Sequence, residues 1–411
     1  MAKPTTAFVA KAPSVAVFAG AEQAADYDEE IVTKTHGSRP RRSEQRSTES
    51  AAPNLVEENS ESAAEPIAES PHEHLPEQLP KTADDPVGSA LFAGALTSAA
   101  TAADHPPQAR SGLRGWLNQL GLRLPPGPAE SAALEREHEL AAAQTTIRQA
   151  TWTRAVSVLV ANPKGGTGKT PLSLLLGGTL AAIRGGSVAV IEVADDPGAL
   201  AYRAEGTPRL GIGDLVRDAD QIRTAGQLAG YTAPQTSFAA VIGSSARRPR
   251  LDADGVAAMV RVIDEYYAIR VMDSGNQPTS SAFQGALAAT DVLVVPVVNA
   301  GDSTLEAVRL LDGLRDAGAD AAVVAARAIV VRVTDGRPET DAINAEVARI
   351  MTAAGAAAIC DLPYDPHIAE RGQLTLASLQ PETRTALTRI AATVVGAVTE
   401  AASRRDAEVD R

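Results

Sequence analysis

The chain has 411 residues, a formal net charge of −13 and one cysteine. This length exceeds that of one ordinary domain, and the acidic balance argues against wholesale electrostatic capture of nucleic acid. The single Cys360 excludes an intrachain disulfide framework and disfavours a cysteine-based metal site. No uninterrupted apolar run reaches about 18 residues, and Lys11 and Pro13 interrupt the apolar N-terminus. We therefore predict a cytoplasmic protein without a transmembrane segment.

Residues 1–109 are rich in Ala, Pro and Glu, and the stretch 51–104 holds ten acidic residues against the single basic Lys81. Such a composition buries too little apolar surface to offset the entropy lost on ordering, so we predict that 1–109 is disordered. A solvated spacer is the favoured interpretation of this region. A docking arm for a partner is the alternative.

Residues 110–150 are predicted to form a short amphipathic helix and a helical linker. One helical stripe contains Leu113, Trp116, Leu117, Leu120 and Leu124. Arg110, Arg114 and Arg123 flank the stripe, and the prolines at 125–128 end the helix. Packing of the stripe against the neighbouring domain is favoured over contact with a membrane surface or a partner groove. A second helix is expected over about 129–149.

Residues 151–402 alternate short β-branched runs with helical stretches. The runs are 155–161, 187–193, 238–243, 269–273, 291–298, 328–333 and 357–363. Continuous apolar strands separated by helices predict a doubly wound α/β domain with a mostly parallel sheet. Its ligand site should lie at the carboxyl ends of the strands. A core helix is expected over 384–398, followed by a polar tail at 403–411.

The stretch "VLVANPKGGTGKTPLSLLLG" at 158–177 has the features of a phosphate-binding loop between a strand and a helix. Its glycines allow successive backbone N–H groups to point at phosphate oxygens. Lys169 can reach the β- and γ-phosphates, Thr170 can ligate Mg²⁺, and Pro171 is tolerated in the first helical turn. The predicted nucleotide-binding residues of the loop are Lys164, Gly165, Gly166, Thr167, Gly168, Lys169, Thr170 and Pro171.

The usual first glycine of such a loop is replaced by Pro163, and Lys164 stands before the glycine pair. "KGGTGKT" resembles the deviant Walker A motif of the ParA/MinD family of P-loop ATPases. The resemblance implies ATP and Mg²⁺ as cofactors and a homodimer that forms on ATP binding. In that dimer Lys164 would reach the phosphates of the partner's nucleotide, so both Lys164 and Lys169 are candidate catalytic residues.

The resemblance extends over about residues 154–400. The segment 267–297 is similar to the family's Walker B and switch II region, which implies that Asp273 holds Mg²⁺ together with Thr170. Asp291 and Pro296 match structural positions there. The segment 361–372 resembles the part near the adenine pocket, where Pro363 and Tyr364 are the candidate contacts.

Three features depart from the family pattern. In switch I, "IEVADDPGAL" places Glu192 where the pattern has its first Asp and adds one residue, so Asp195 and Asp196 are both candidates to orient the attacking water. The strand "AIVVRVTDG" lacks the Asn that usually contacts adenine. Ser274 and Gly275 follow the switch II Asp in place of the usual residues.

These residues predict an ATP-hydrolysing dimerisation switch that partitions or positions DNA or a protein cargo, with slow turnover stimulated by an unidentified protein partner. Weak, non-specific DNA binding could use arginines of "ARRPR" at 246–250 and of the C-terminal part, although a solvated loop is favoured for 246–250. The alternative is a regulatory or scaffold protein whose docking is controlled by nucleotide. Its layout resembles proteins associated with type VII secretion loci.

Overall fold

The computed structural model describes residues 109–110, 112–122 and 124–409, all of which belong to the unit Gly88–Arg411. The predicted disordered region 1–109 lies outside the described residues except for Ala109. This residue is buried, and its N–H donates to the carbonyl of Leu124 at 3.0 Å. The side chain of Leu113 and residue Arg123 also lie outside the described part of the chain.

Eight strands of the described part form one sheet: β1 (Val156–Val160), β2 (Val188–Val193), β3 (Ala233–Pro234), β4 (Ala240–Ile242), β5 (Ile269–Ser274), β6 (Val292–Val298), β7 (Ile329–Val333) and β8 (Ala358–Leu362). Their order across the sheet is β3-β4-β2-β5-β1-β6-β7-β8. All neighbours are parallel except β3 and β4, which are antiparallel. The predicted doubly wound, mostly parallel sheet is confirmed, and only the two-residue β3 was not expected.

The helices described are α1 (Gly112–Gln119), α2 (Pro128–Gln149), α3 (Lys169–Arg184), α4 (Leu200–Arg203), α5 (Ile212–Asp218), α6 (Ala225–Ala229), α7 (Ala253–Asp264), α8 (Ser281–Ala288), α9 (Gly301–Asp316), α10 (Ala319–Ala326), α11 (Asp341–Ala353), α12 (Pro366–Ala369) and α13 (Pro381–Val409). Short 3₁₀ turns occupy Ala219–Gln221 and Leu376–Ser378. None of the described helices is long and apolar enough to cross a bilayer.

The strands are continuous apolar runs because both faces of the sheet are covered. Along β1, Leu159 belongs to one hydrophobic cluster and Val158 to the other, and both side chains are fully buried. Helices α7, α8 and α9 supply buried residues to the first cluster, and α3 and α13 supply them to the second. This alternation follows from the two-residue period of a strand.

Helix α3 approaches β2 closely at Gly177. A Cβ on Gly177 would lie 2.2 Å from a methyl group of Val190, well inside van der Waals contact. Glycine therefore allows the helix that carries Lys169 and Thr170 to sit directly on the sheet. The position of the phosphate-binding loop depends on this contact.

Helix α2 packs against α3 and α13, so the packed unit extends N-terminal of the predicted boundary at residue 151. Ile147 at the end of α2 is fully buried. The Arg184 guanidinium stacks over the Trp152 ring at 5.0 Å and donates to the carbonyls of Ile147 and Ala150. The linker is thus fastened to the α/β domain by burial, hydrogen bonds and a cation–π contact.

Helix α1 does not behave as the apolar stripe predicted. Trp116 and Leu120 are 58% and 62% exposed, so the expected packing of these two side chains against the domain is wrong. The segment is instead closed on itself by Asn118, whose amide donates to the carbonyls of Ala109 and Leu124 at 3.0 Å each. Its side-chain oxygen accepts from the Leu124 N–H.

The C-terminal core helix is confirmed, since Leu387, Ile390, Ala391, Val394 and Val398 are all buried. The helix does not end near residue 402, because α13 continues to Val409. The residues predicted as a polar tail therefore extend the same helix as far as the structure describes them.

Asp291 immediately precedes β6 and lies at the amino ends of the strands, opposite the phosphate-binding loop at their carboxyl ends. Its carboxylate is fully buried and accepts from Arg154, from the Ser157 N–H and from the Ser157 hydroxyl. Arg405 of α13 lies 3.2 Å from the same carboxylate. Burial raises the pKa of Asp291, but the hydrogen bonds and charge of Arg154 outweigh it and leave the pKa below its usual value.

Candidate functional site

The loop between β1 and α3 has the backbone geometry of a phosphate cradle. Gly166 and Gly168 have φ angles of 77° and 90°, a region that side chains with a Cβ rarely adopt. Gly165, Gly166, Thr167 and Gly168 all line one cavity at the N-terminus of α3. A helix N-terminus preceded by such a turn points unpaired N–H groups and a partial positive charge at the same space.

Lys169 is the first residue of α3 and is 8% exposed. Its Nζ donates to the carbonyls of Asn162 and Lys164 at 2.8 and 3.2 Å and to Asn276 Oδ1 at 2.6 Å. Burial lowers the pKa of Lys169 to about 8, although the charge of Asp273 opposes that change. The ammonium group is therefore buried and held at the floor of the cradle by neutral acceptors.

Thr170 and Asp273 meet at the carboxyl ends of β1 and β5. Thr170 Oγ1 donates to Asp273 Oδ2 at 2.7 Å, and Ser173 Oγ lies 3.3 Å from Oδ1 of the same carboxylate. Burial raises the pKa of Asp273 to about 7, while the Thr170 hydrogen bond acts in the opposite direction. A hydroxyl and a carboxylate side by side at a phosphate loop are oxygen ligands suited to a hard divalent cation.

The cavity has a volume of about 880 Å³ and lies at the carboxyl ends of the strands, where the ligand site was predicted from the sequence. It is lined by segments that follow β1, β2, β5, β7 and β8. The predicted site residues among its lining are Gly165, Gly166, Thr167, Gly168, Lys169, Thr170, Pro171, Asp195, Asp196, Asp273, Pro363 and Tyr364. Lys164 is the one predicted residue that is not part of this lining.

Lys164 does not line the cavity, and its side chain pairs with Asp302 on α9. Its Nζ lies 2.8 Å from Asp302 Oδ2, and the two side chains are 44% and 61% exposed. The hydrogen bond and charge of Asp302 raise the pKa of Lys164. Within a single chain, the Lys164 side chain therefore lies at the surface beside the N-terminal end of α9.

The two candidate carboxylates of the loop after β2 are in different environments. Asp196 is 61% exposed, and its carboxylate pairs with Arg250 at 3.1 and 3.2 Å. Asp195 is half-buried, and a Cβ added to Gly275 would lie 3.3 Å from its Oδ1. The Asp195 carboxylate therefore lies close to Gly275, just after the end of β5, whereas that of Asp196 is engaged by an arginine at the surface.

The end of the cavity near β7 and β8 is formed by Pro363 and Tyr364. The Tyr364 ring packs on Gly336, which has a φ of 87° and leaves no room for a Cβ, since that atom would lie 2.6 Å from the ring. Asp335 and Arg337 also line this end and form an ion pair at 3.1 Å. The Asn missing from the end of β7 is not replaced by Asn299, which follows β6 and donates its side-chain amide to Glu339.

Several residues at the cavity were not identified from the sequence. Asn276 accepts from Lys169, and Arg203, Arg337 and Arg371 line the wall. Arg203 is 9% exposed, and its Nε has no hydrogen-bond partner within the described residues. Isolated arginines and a lone Asn carry no motif, so only the three-dimensional structure brings them to the site.

The arginines considered for DNA binding are mostly engaged within the chain. For Arg248, both the prediction of a DNA contact and that of a solvated loop residue are wrong, because its side chain is 5% exposed and pairs with Glu192. Arg389 pairs with Glu139 and Arg405 with Asp291. Arg247 remains exposed. The described surface thus provides fewer available cations than the sequence indicated.

Comparison with known proteins agrees with this architecture. The model of the family described as the CobQ/CobB/MinD/ParA nucleotide binding domain matches residues 158–375, more than half of the chain. The chain belongs to this family of P-loop proteins, as the resemblance at the loop had indicated.

Solved structures that match the chain do so at low sequence identity. A ParA family ATPase from Chlorobium tepidum TLS shares 15% identity, with a TM-score of 0.49, over 58% of this chain and 98% of its own. The MinD cell division protein of Aquifex aeolicus shares 19% identity, with a TM-score of 0.44, over 59% and 97%. The cell division ATPase MinD of Pyrococcus furiosus shares 15%, with a TM-score of 0.43, over 58% and 98%. No curated protein matched the sequence.

Proposed function

We propose that this chain binds ATP with Mg²⁺, hydrolyses it to ADP and phosphate, and dimerises in the ATP-bound state. The observation that carries the proposal is the meeting of Lys169, Thr170 and Asp273 at the phosphate loop. A buried ammonium, a hydroxyl–carboxylate pair and a glycine cradle converge on one cavity. This combination suits a triphosphate better than a neutral ligand, because the cradle presents donors and positive charge.

The residues at the loop fit a magnesium ion. Mg²⁺ is usually held by one or two protein oxygens together with waters and substrate phosphates, and Thr170 Oγ1 and Asp273 Oδ2 are such oxygens. When bound, Mg²⁺ neutralises charge on the phosphate oxygens.

The nucleobase is assigned to the end of the cavity at Pro363 and Tyr364. The Tyr364 ring is held against Gly336 and offers an apolar surface to a purine. The Asn that usually contacts adenine is absent, so Thr334 and Asp335 at the end of β7 are the polar groups nearest in sequence to that position. Both line the cavity.

Asp195 is the carboxylate we assign to orient the attacking water. Its side chain lies close to Gly275, just after the end of β5, whereas that of Asp196 is held by Arg250. The matched variants Asp195→Asn and Asp196→Asn test this choice. We expect hydrolysis to fall about 100-fold in the first and to change less than about threefold in the second. The opposite order would overturn the assignment.

Lys164 is assigned to act on the nucleotide of the partner chain. It is exposed and lies outside the lining of its own cavity, and among the described residues its ammonium group pairs with the exposed Asp302. Transfer of this side chain to a partner's phosphate would exchange a surface ion pair, which contributes little, for a charge-assisted contact with a more highly charged group. Loss of the γ-phosphate would remove that contact and release the dimer.

A nucleotide-gated dimer of this kind serves to partition or position a cargo in the cytoplasm, with slow turnover that a protein partner stimulates. DNA is one candidate surface. Because most described arginines are already paired, binding to it requires cations from both chains and stays weak and salt-sensitive.

One observation favours the second candidate function, a regulatory or scaffold protein with little hydrolysis. Trp116 and Leu120 are exposed on a segment that Asn118 closes into a fixed loop. A preformed apolar element suits docking to a partner. The ATPase rate with and without DNA or lipid vesicles distinguishes the two functions, as does comparison of the full chain with a chain lacking residues 1–126. The scaffold function predicts a low rate in every condition.

The principal test of the proposed function combines two measurements. Binding of a non-hydrolysable ATP analogue in the presence of Mg²⁺ should be saturable, and sedimentation should show dimers only when the analogue is present. Release of phosphate from ATP should be measurable above a Lys169→Met background. Absence of analogue binding would overturn the proposal.

A further inference from the structure

Arg248 lies in the loop between β4 and α7, which the sequence presents as a solvated Arg/Pro-rich turn. The structure places its guanidinium in the interior, with the side chain only 5% exposed. It crosses to the loop that follows β2 and carries Asp195 and Asp196. Arg247 and Arg250, its neighbours in the same turn, remain exposed.

The guanidinium binds three consecutive backbone carbonyls of that loop. Nη1 donates to the carbonyl of Asp195 at 2.7 Å. Nη2 donates to the carbonyls of Ala194 and Asp196 at 2.8 and 3.2 Å. The Leu251 N–H adds a further bond to the Asp195 carbonyl at 3.0 Å. The main chain on both sides of the Asp195 side chain is therefore fixed by one cation.

Glu192 completes the clamp from the end of β2. Its carboxylate is 1% exposed and accepts from Arg248 Nη2 at 3.1 Å and from the Gly198 N–H at 3.0 Å. The Ser244 hydroxyl also donates to it, and Arg248 Nε donates to that hydroxyl at 3.0 Å. The loop is thus held by its carbonyls at 194–196 through Arg248 and by its amide at Gly198 through Glu192.

This arrangement matches the departures seen in the sequence. The loop is one residue longer than the D-x-D-P pattern, and a glutamate stands in place of its first aspartate. A longer loop has more backbone freedom to lose, and a planar guanidinium can engage a carboxylate and several carbonyls at once, which an ammonium cannot do with the same geometry. A buried charge pair also persists only when its remaining donors and acceptors are satisfied.

We propose that Arg248 is a positioning residue for the hydrolytic reaction: through the Glu192 pair it fixes the backbone of residues 194–198 so that the Asp195 carboxylate faces the end of β5. The inference rests on the proposed function for its effect on turnover. Its structural part, the restraint of the loop, holds in the nucleotide-free chain and is measurable without any hydrolysis.

The test uses full-length Arg248→Lys, Arg248→Met and the control Arg247→Met, which alters an exposed residue of the same turn. Hydrogen exchange of peptides covering residues 194–198 should be about tenfold faster in both Arg248 variants and unchanged in the control. Affinity for a non-hydrolysable ATP analogue should stay within about threefold of the parent, while the turnover number falls about 30-fold or more. Arg248→Lys keeps a positive charge beside Glu192, so it reports on the lost bonds to the carbonyls if Arg248→Met fails to fold.

Parental exchange and parental turnover in Arg248→Lys would overturn the inference. An equal loss of analogue affinity and turnover would also overturn it, because that pattern indicates general damage to the site. If the parent itself does not hydrolyse ATP, the proposed function fails, and the exchange rates at 194–198 still decide whether Arg248 restrains the loop.

Discussion

Replacement of Lys169 by Met separates the functional and the structural parts of the phosphate loop. In the nucleotide-free chain, burial lowers the pKa of Lys169 from 10.5 to about 8. A change of that size corresponds to about 3 kcal/mol. Because the folded-state pKa is lowered, the charged form of Lys169 opposes folding at neutral pH. This destabilisation is absent above the unfolded-state pKa of 10.5 and is fully present once the pH has fallen through about 8.

Removal of the ammonium also removes three hydrogen bonds, those to the oxygens of Asn162, Lys164 and Asn276. Each lost bond costs about 1 kcal/mol, so the two effects have opposite signs and similar size. We expect the free energy of unfolding of Lys169→Met to lie within about 1 kcal/mol of the parent. Two lost charge-assisted bonds to phosphate, at about 2 kcal/mol each, should weaken ATP binding about 1000-fold.

Calorimetric titration with a non-hydrolysable ATP analogue and urea unfolding measure the two quantities on the same preparation. Lys164→Met is the matched control, since Lys164 is the other lysine of the described residues and lies outside the cavity lining. It should retain most of the analogue affinity at concentrations where the protein is monomeric. Parental affinity in Lys169→Met would refute the phosphate role. A loss of stability of about 3 kcal/mol or more would refute the offset derived from burial.

Three further outcomes are expected. Lys164→Ala should bind the ATP analogue as a monomer, but it should form no analogue-dependent dimers in sedimentation and should lose hydrolysis. Dimers as abundant as those of the parent would contradict the action of Lys164 on the partner's nucleotide. DNA binding should be weak, independent of sequence, detectable only with ATP and reduced by salt in filter or fluorescence assays, whereas tight binding by the nucleotide-free monomer would count against it. Asp291→Asn should lower the free energy of unfolding by about 2 kcal/mol, with a smaller difference from the parent once acid protonates Asp291, and an unchanged urea midpoint at neutral pH would contradict this.

The seven longer strands and the phosphate loop could be predicted because their signals are local. Runs such as 155–161 and 291–298 are apolar on both faces, which is typical of parallel strands under helices. The loop is a contiguous motif, and the resemblance of the segment 267–297 to the ParA/MinD family implied that Asp273 lies next to it. The two-residue β3 carries no comparable signal.

The partners of charged side chains could not be predicted in this way. Arg248 stands in an Arg/Pro-rich turn and is indistinguishable in sequence from exposed Arg247, yet it is buried because Glu192 lies opposite in the folded chain. The contact between Lys164 and Asp302 likewise joins distant segments. The predicted packing of α1 was wrong for a related reason. Helical periodicity identifies an apolar stripe but does not indicate whether another surface covers it.

The two edges of the sheet limit how copies of this chain can associate. At one edge, β3 is only two residues long and ends in the exposed Pro234, which has no N–H to offer an added strand. At the other edge, β8 carries Asp361, a largely exposed carboxylate that pairs with Arg332 of β7. Addition of a strand from another copy is thus disfavoured at both edge strands, and so is a continuous intermolecular sheet. Contacts between copies are left to loops and helices, whose side chains can separate without breaking any backbone ladder.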